Sequence, residues 1–269
     1  MGIVLAALLG VVQGLTEFLP VSSSAHLILA RAFFGWDAGR MGLAFDVACH
    51  VGTLLAVVVY FWRDLVEMVR ALPGLVARQP SPPARLARLI LVGTVPAVLV
   101  GLLLGDVIEE RLRTPIVAAV TLAVVAFSFF IVEALGRRTR SHATLSAAEA
   151  LGIGVAQASA LVPGVSRSGA TIVVGMVMGL RREEAARFAF LLGTPAILAA
   201  AGREGGMLLE RGLSAGEAVL FAVGMITSAW VGYFTVKYFL RYLTGHSLAV
   251  FGWYRLLLAA SVVAWLFLR

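Results

Sequence analysis

Two short polar motifs interrupt an otherwise apolar chain, and they limit its fold more than any other feature. The first runs Gly10-Val11-Val12-Gln13-Gly14-Leu15-Thr16-Glu17-Phe18-Leu19-Pro20-Val21-Ser22-Ser23-Ser24-Ala25-His26. The second runs Gly154-Val155-Ala156-Gln157, then Pro163-Gly164-Val165-Ser166-Arg167-Ser168-Gly169-Ala170-Thr171. Both read Gly-Val-x-Gln, then a proline, then a serine cluster, about 144 residues apart. In lipid, an unpaired backbone group or an ion costs several kcal/mol. Polar clusters placed twice in such surroundings mark function.

The surroundings are those of a membrane protein. The chain is 60% hydrophobic and 14% charged, with a mean hydropathy of +0.95. A soluble protein of 269 residues cannot hide that much apolar surface. The single cysteine, Cys49, rules out an internal disulfide. The net charge of +7 is almost wholly arginine, since Lys237 is the only lysine. No basic stripe with interleaved aromatics is present, so no nucleic-acid partner is expected. The N-terminus has no basic region before its first apolar run, so no cleavable signal peptide is expected.

About 20 apolar residues cross a bilayer. Six segments qualify, at roughly 43–62, 87–105, 115–136, 186–202, 216–240 and 249–268. Four shorter stretches, about 2–19, 24–34, 148–162 and 169–180, pair around the motifs. Each pair reads as a re-entrant helical hairpin broken at Pro20 or at Pro163-Gly164. The expected fold is an all-α polytopic membrane domain over 1–269. Its halves, about 1–140 and 141–269, each hold one hairpin and three spans. Three is odd, so the second half enters from the opposite side: an inverted-topology repeat with two broken helices meeting near the midplane. The loops on one side carry 13 lysines and arginines and those on the other carry seven. The positive-inside rule makes the richer side cytoplasmic. The first hairpin then enters from outside.

The motif residues suggest anion chemistry. Pro163-Gly164 ends one helix, and Ser166-Arg167-Ser168 opens another whose free N–H groups and dipole suit an anion. Ser166, Ser168 and Thr171 add hydroxyl donors, and Arg167 adds a planar fork for phosphate oxygens. In the first motif Gln13 and Glu17 share a helix face. Glu17 could hold a hard divalent cation, polarise a nucleophile, or pair with Arg167. Ser22, Ser23 and Ser24 sit at a second helix start with His26 one turn on, the minimum for nucleophilic or acid–base work. Asp46 and His50, four apart on the first full span, could line the same cavity, though a hydrogen bond along one helix face is the preferred reading. Gly93-Thr94-Val95-Pro96 and Gly193-Thr194-Pro195 read as kinks. Arg255, inside the last span beside Tyr254, needs a partner that the sequence does not name.

Residues 13–26 and 163–171 closely resemble the two signature motifs of the bacitracin-resistance type undecaprenyl-diphosphate phosphatases. Length, span count, motif spacing and the Phe251-x-x-Tyr254-Arg255 ending are similar too. The resemblance implies hydrolysis of undecaprenyl diphosphate to the monophosphate and inorganic phosphate. It also implies recycling of that carrier for cell-wall synthesis, bacitracin resistance, and a place in the bacterial inner membrane. Glu17, Ser23, His26 and Arg167 are then catalytic. Gln13, Ser22, Ser24, Ser166, Ser168 and Thr171 bind substrate with Arg167. A divalent cation, magnesium or calcium, is implied on Glu17 with Gln13. The family's acidic pair falls on Gln13 and Glu17, so one carboxylate is an amide here. The expected partners are a long-chain polyprenyl diphosphate and membrane lipids, and a homodimer is compatible with this reading. The attacking group (Ser23, His26 or a metal-bound water) is left open.

The alternative class is a transporter or flippase of a polyprenyl phosphate or other anion, which the inverted repeat would suit. Anion binding alone needs no serine and histidine beside a glutamate. Lipid phosphatases that form a phosphohistidine need a second histidine after the Ser-Arg motif, and His246 is too distant in sequence to supply it.

Overall fold

The computed structural model describes residues 2–34, 42–136, 138–211 and 214–268, and they are helical throughout apart from turns and one isolated bridge, Arg140 to Leu180. Arg40, Arg137 and Arg269, counted above among the loop charges, lie outside the described residues. The first half holds α1 (Ile3–Thr16), α2 (Ser23–Phe34), α3 (Gly42–Tyr60), α4 (Trp62–Arg70), α5 (Pro82–Leu112) and α6 (Pro115–Ala134). The second holds α7 (Ala147–Ser159), α8 (Arg167–Val177), α9 (Arg182–Arg211), α10 (Ala215–Leu243) and α11 (Ala249–Phe267).

Among the described residues four helices are long and apolar enough to cross a membrane: Pro82–Ile108, Pro115–Ala134, Ala215–Leu243 and Ala249–Phe267. A fifth candidate, Ala44–Tyr60 with Trp62–Arg70, bends by 79°. The expected fourth span, 186–202, lies within α9 (Arg182–Arg211), whose described part is closely packed by protein. Ala185, Ala186 and Phe188 to Leu192 are almost wholly buried, and α9 touches α3, α5, α8 and α10. A helix sheathed by protein need not carry a lipid-facing composition, so it tolerates Glu183, Glu184 and Arg187 near its start.

The two motif pairs form short helices. α1 has 14 residues and α7 has 13, about 20 Å each at 1.5 Å per residue, too short for the ~30 Å hydrocarbon layer. Each leans on a helix of the other half, α1 on α10 and α7 on α5. Glycines permit the approach. A Cβ on Gly10 would lie 2.0 Å from Thr227 Oγ1 and 2.7 Å from the Gly224 carbonyl oxygen. One on Gly154 would lie 2.2 Å from the Gly93 carbonyl oxygen. Gly93 is thus a contact point, while α5 runs unbroken past Pro96.

One core draws on both halves: Phe18, Val57, Phe61 and Phe129 pack in the same cluster as Ile153, Phe188, Phe190 and Phe239. Large apolar side chains such as Val4, Leu102, Leu103, Trp230 and Leu257 face outward instead, as a lipid-facing surface requires. The connection between the halves is fixed by Glu184, which accepts from Ser141 Oγ at 2.6 Å and from the His142 backbone N–H at 2.9 Å. Desolvation raises the Glu184 carboxyl, but the donors from Ser141 and His142 outweigh it and hold it at about 2.

Candidate active site

The two breaks share one backbone device. Ser22 and Ser166 have φ of 72° and 71°, a region serine rarely adopts. Each then caps the helix that follows: the Ala25 N–H donates to Ser22 Oγ at 3.4 Å, and the Gly169 N–H to Ser166 Oγ at 3.1 Å. Each hydroxyl also lies 3.2 Å from the serine two residues on, Ser24 or Ser168. The equivalence extends to geometry that the sequence only hinted at.

Between the breaks lies a cavity of about 240 Å³, lined by Thr16, Glu17, Ser22, Ser23, Ser24, His50, Ser166 and Arg167 together with apolar side chains. That volume suits a head group rather than a lipid chain. Glu17 is its centre and is buried. Arg167 Nη2 donates to Glu17 Oε1 at 2.8 Å. Ser23 Oγ donates to Glu17 Oε2 at 2.7 Å, and Gln13 Nε2 to the same oxygen at 2.9 Å. A carboxylate at this depth is tolerable because three donors, one of them a guanidinium, reach its two oxygens.

Arg167 holds more donors than it uses here. Its Nη1 is buried with no hydrogen-bond partner. A Cβ on Gly193 would sit 1.9 Å from that nitrogen, so Gly193 is the slot in α9 that the guanidinium occupies. The expected kink residue is a cradle.

Other expected residues go elsewhere. Ser168 Oγ donates to the Leu19 carbonyl at 3.3 Å, and Thr171 Oγ1 to the Arg167 carbonyl at 2.7 Å. Neither lines the cavity. His26 does not line it either: its Nδ1 donates to the Ser22 carbonyl at 2.7 Å, and its Nε2 accepts from the Tyr254 hydroxyl at 2.6 Å. The two rings stack with an interplanar angle of 4°. Thus the histidine supports the backbone beside Ser22 from behind.

Two residues singled out in the sequence gain their partners here. His50 lines the cavity, with Nε2 3.4 Å from Glu17 Oε2. The expected bond along the helix is present too, with Nδ1 2.7 Å from the Asp46 carbonyl oxygen, but the spacing gave no sign of Glu17. Asp46 in fact accepts from Arg113 at 2.8 Å. Arg255 is fully buried and finds no carboxylate. It donates to the carbonyls of Pro20 (3.1 Å), Gly164 (2.7 Å), Val165 (3.3 Å), Thr121 (3.3 Å) and Leu122 (3.2 Å). One guanidinium therefore ties both breaks to α6.

Known proteins match along almost the full length. Residues 6–261 match the family described as bacitracin resistance protein BacA. An undecaprenyl-diphosphatase from Rubrobacter xylanophilus is 52% identical over 266 residues, covering 98% of each chain. One from Alcanivorax borkumensis is 45% identical, over 97% of this chain and 98% of its own. Another, from Moorella thermoacetica, is 42% identical over the whole of both.

Proposed function

The chain belongs to the BacA family, and on that premise we propose that it hydrolyses undecaprenyl diphosphate to undecaprenyl phosphate and inorganic phosphate in the bacterial inner membrane. The observation that carries this is the Glu17 carboxylate, held at once by Arg167 and by the Ser23 hydroxyl at the wall of a head-group cavity. Glu17 neutralises the guanidinium. A diphosphate competes for it, and the buried spare Nη1 gives the phosphate oxygens a second donor. Glu17, released from Arg167, becomes the stronger proton acceptor. Ser23 Oγ then bonds to the terminal phosphorus while the bridging P–O bond breaks, and the serine proton passes to Glu17. The prenyl monophosphate leaves. Water next cleaves the serine phosphate and orthophosphate departs. The helix starts at Ser22 and Ser166 face the developing charge with free N–H groups.

A divalent cation, magnesium or calcium by resemblance, fits beside Glu17. Gln13 Oε1 is buried without a partner, and substrate phosphates commonly complete such a shell. It would offset diphosphate charge. Carrier recycling for cell-wall synthesis and bacitracin resistance would follow from the reaction.

The test is phosphate release from a long-chain prenyl diphosphate by the purified chain. Glu17→Gln and Arg167→Ala should each lower kcat by ~10²–10⁴; release unchanged in both would defeat the enzyme reading and favour transport. The arginine asymmetry of the loops supports an outward-facing cavity. A cysteine placed at Ser22 should then react with a membrane-impermeant reagent from outside, and reaction only from the cytoplasmic side would reverse the orientation.

A further inference from the structure

Both ring nitrogens of His26 are committed to the protein. Nδ1 lies 2.7 Å from the Ser22 carbonyl oxygen; a carbonyl only accepts, so Nδ1 carries a proton. Nε2 is bonded to the Tyr254 hydroxyl at 2.6 Å. Neutral or charged, the ring spends both nitrogens on these two partners, and it is not part of the cavity wall. What it grips is Ser22, a residue with a Cβ at φ 72°. Such a conformation persists only where the surroundings impose it.

The second break shows what the first one lacks. There Arg255 donates to two consecutive carbonyls, those of Gly164 and Val165, directly before the positive-φ serine. At the first break it reaches one carbonyl, that of Pro20. The Ser166 carbonyl accepts from the Ala170 backbone N–H at 2.9 Å, and an alanine has no side-chain donor to add. The Ser22 carbonyl accepts from the His26 backbone N–H at 3.2 Å and from the His26 ring besides. The ring itself is fixed by the residue next to Arg255. Tyr254 bonds Nε2 and stacks on the imidazole, with 5.7 Å between centroids and 4° between planes. Two adjacent residues of α11 therefore hold the backbone on either side of Val21. The residue after Ser22 is Ser23, whose hydroxyl donates to Glu17 at 2.7 Å.

We propose that Tyr254 is a positioning residue for the hydrolysis: through His26 it holds Ser22 at positive φ and so keeps Ser23 Oγ on Glu17. His26 is then a link with one donor and one acceptor, and carries no proton to or from the substrate. A relaxed Ser22 would turn the start of α2 and take Ser23 off Glu17, while Arg167, on the other hairpin, would still meet the phosphates. Loss of the link therefore lowers kcat and spares KM.

The proposal rests on reading the cavity as the phosphatase site. Its test measures kcat and KM of the purified full chain for a long-chain prenyl diphosphate across pH. Tyr254→Phe keeps the stacked ring and should lower kcat about tenfold, the loss of one hydrogen bond. KM should stay within about twofold. His26→Ala should lower kcat by ~10², and adding Tyr254→Phe to it should cost nothing more, since the hydroxyl acts through the imidazole. His26→Gln has an amide that can donate to the Ser22 carbonyl and accept from Tyr254 without titrating. It should recover activity to within about tenfold of the wild type and keep the wild-type pH profile. His26→Gln as inactive as His26→Ala, a limb missing from its pH profile, or a full cost of Tyr254→Phe in the His26→Ala background would overturn the proposal. Should the His26 variants fail to fold, Tyr254→Phe decides alone, and an unchanged kcat overturns it. A wild type that releases no phosphate ends the phosphatase reading instead. The link then stands or falls on imidazole ¹⁵N spectra without substrate: of the four histidines, Tyr254→Phe should shift the Nε2 resonance of His26 alone, and an unshifted resonance refutes the link.

Discussion

The two hairpins are alike in backbone and unlike in chemistry. Each has a buried glutamine, a break, and a positive-φ serine capping the next helix. Each first helix rests on the other half through a glycine. Then they diverge. Four residues after the glutamine the first hairpin carries Glu17, buried, and the second carries Leu161, 39% exposed. After the capping serine comes Ser23 in one and Arg167 in the other. Gln13 consequently has a carboxylate to donate to, while neither polar atom of the Gln157 side chain has a partner. Two helix starts border one cavity, and their unlike residues make one side the acceptor and the other the cation. A symmetric pocket would set carboxylate against carboxylate or arginine against arginine, and neither pair survives burial.

Exchanging the divergent residues tests this most severely. If the halves are interchangeable, Glu17→Leu combined with Leu161→Glu merely relocates the carboxylate and activity persists. The expected outcome is loss of turnover by more than ~10², since only residue 17 touches Ser23. The packing comparison predicts a smaller and graded effect on thermal unfolding. Gly154→Ala meets backbone, the Gly93 carbonyl, and should cost about 1–3 kcal/mol. Gly10→Ala first meets the Thr227 side chain, which can turn, and should cost less. Gln157→Leu removes a buried amide without partners and should be near neutral or slightly stabilising. Equal losses in the two glycine variants would mean that the halves interlock less specifically than their contacts suggest.

What the sequence revealed followed from local rules. The length of apolar runs located the long helices, and the paired motifs located Glu17, Ser22, Ser23, Ser24, Ser166 and Arg167 at one site. What stayed hidden depended on partners far along the chain. His50 shares a helix with Asp46, so spacing paired those two; its cavity neighbour is Glu17, beyond a break. His26 is one turn from Ser23 but leans on Tyr254, 228 residues away. The sequence names no partner for Arg255 because its partners are backbone carbonyls, those of Pro20, Gly164 and Val165 at the breaks and of Thr121 and Leu122 in α6, and no residue type records those.

Arg255 also sets an order on biosynthesis. Both breaks are translated and inserted well before residue 255 leaves the ribosome, and until then the Pro20 and Gly164 carbonyls lack the donor that later clasps them. Bare carbonyls within a bilayer are costly, so the half-made protein holds its loops open or wet. Arrival of the final helix locks the assembly, and a chain cut short before that residue would embed in the membrane yet never finish its catalytic centre.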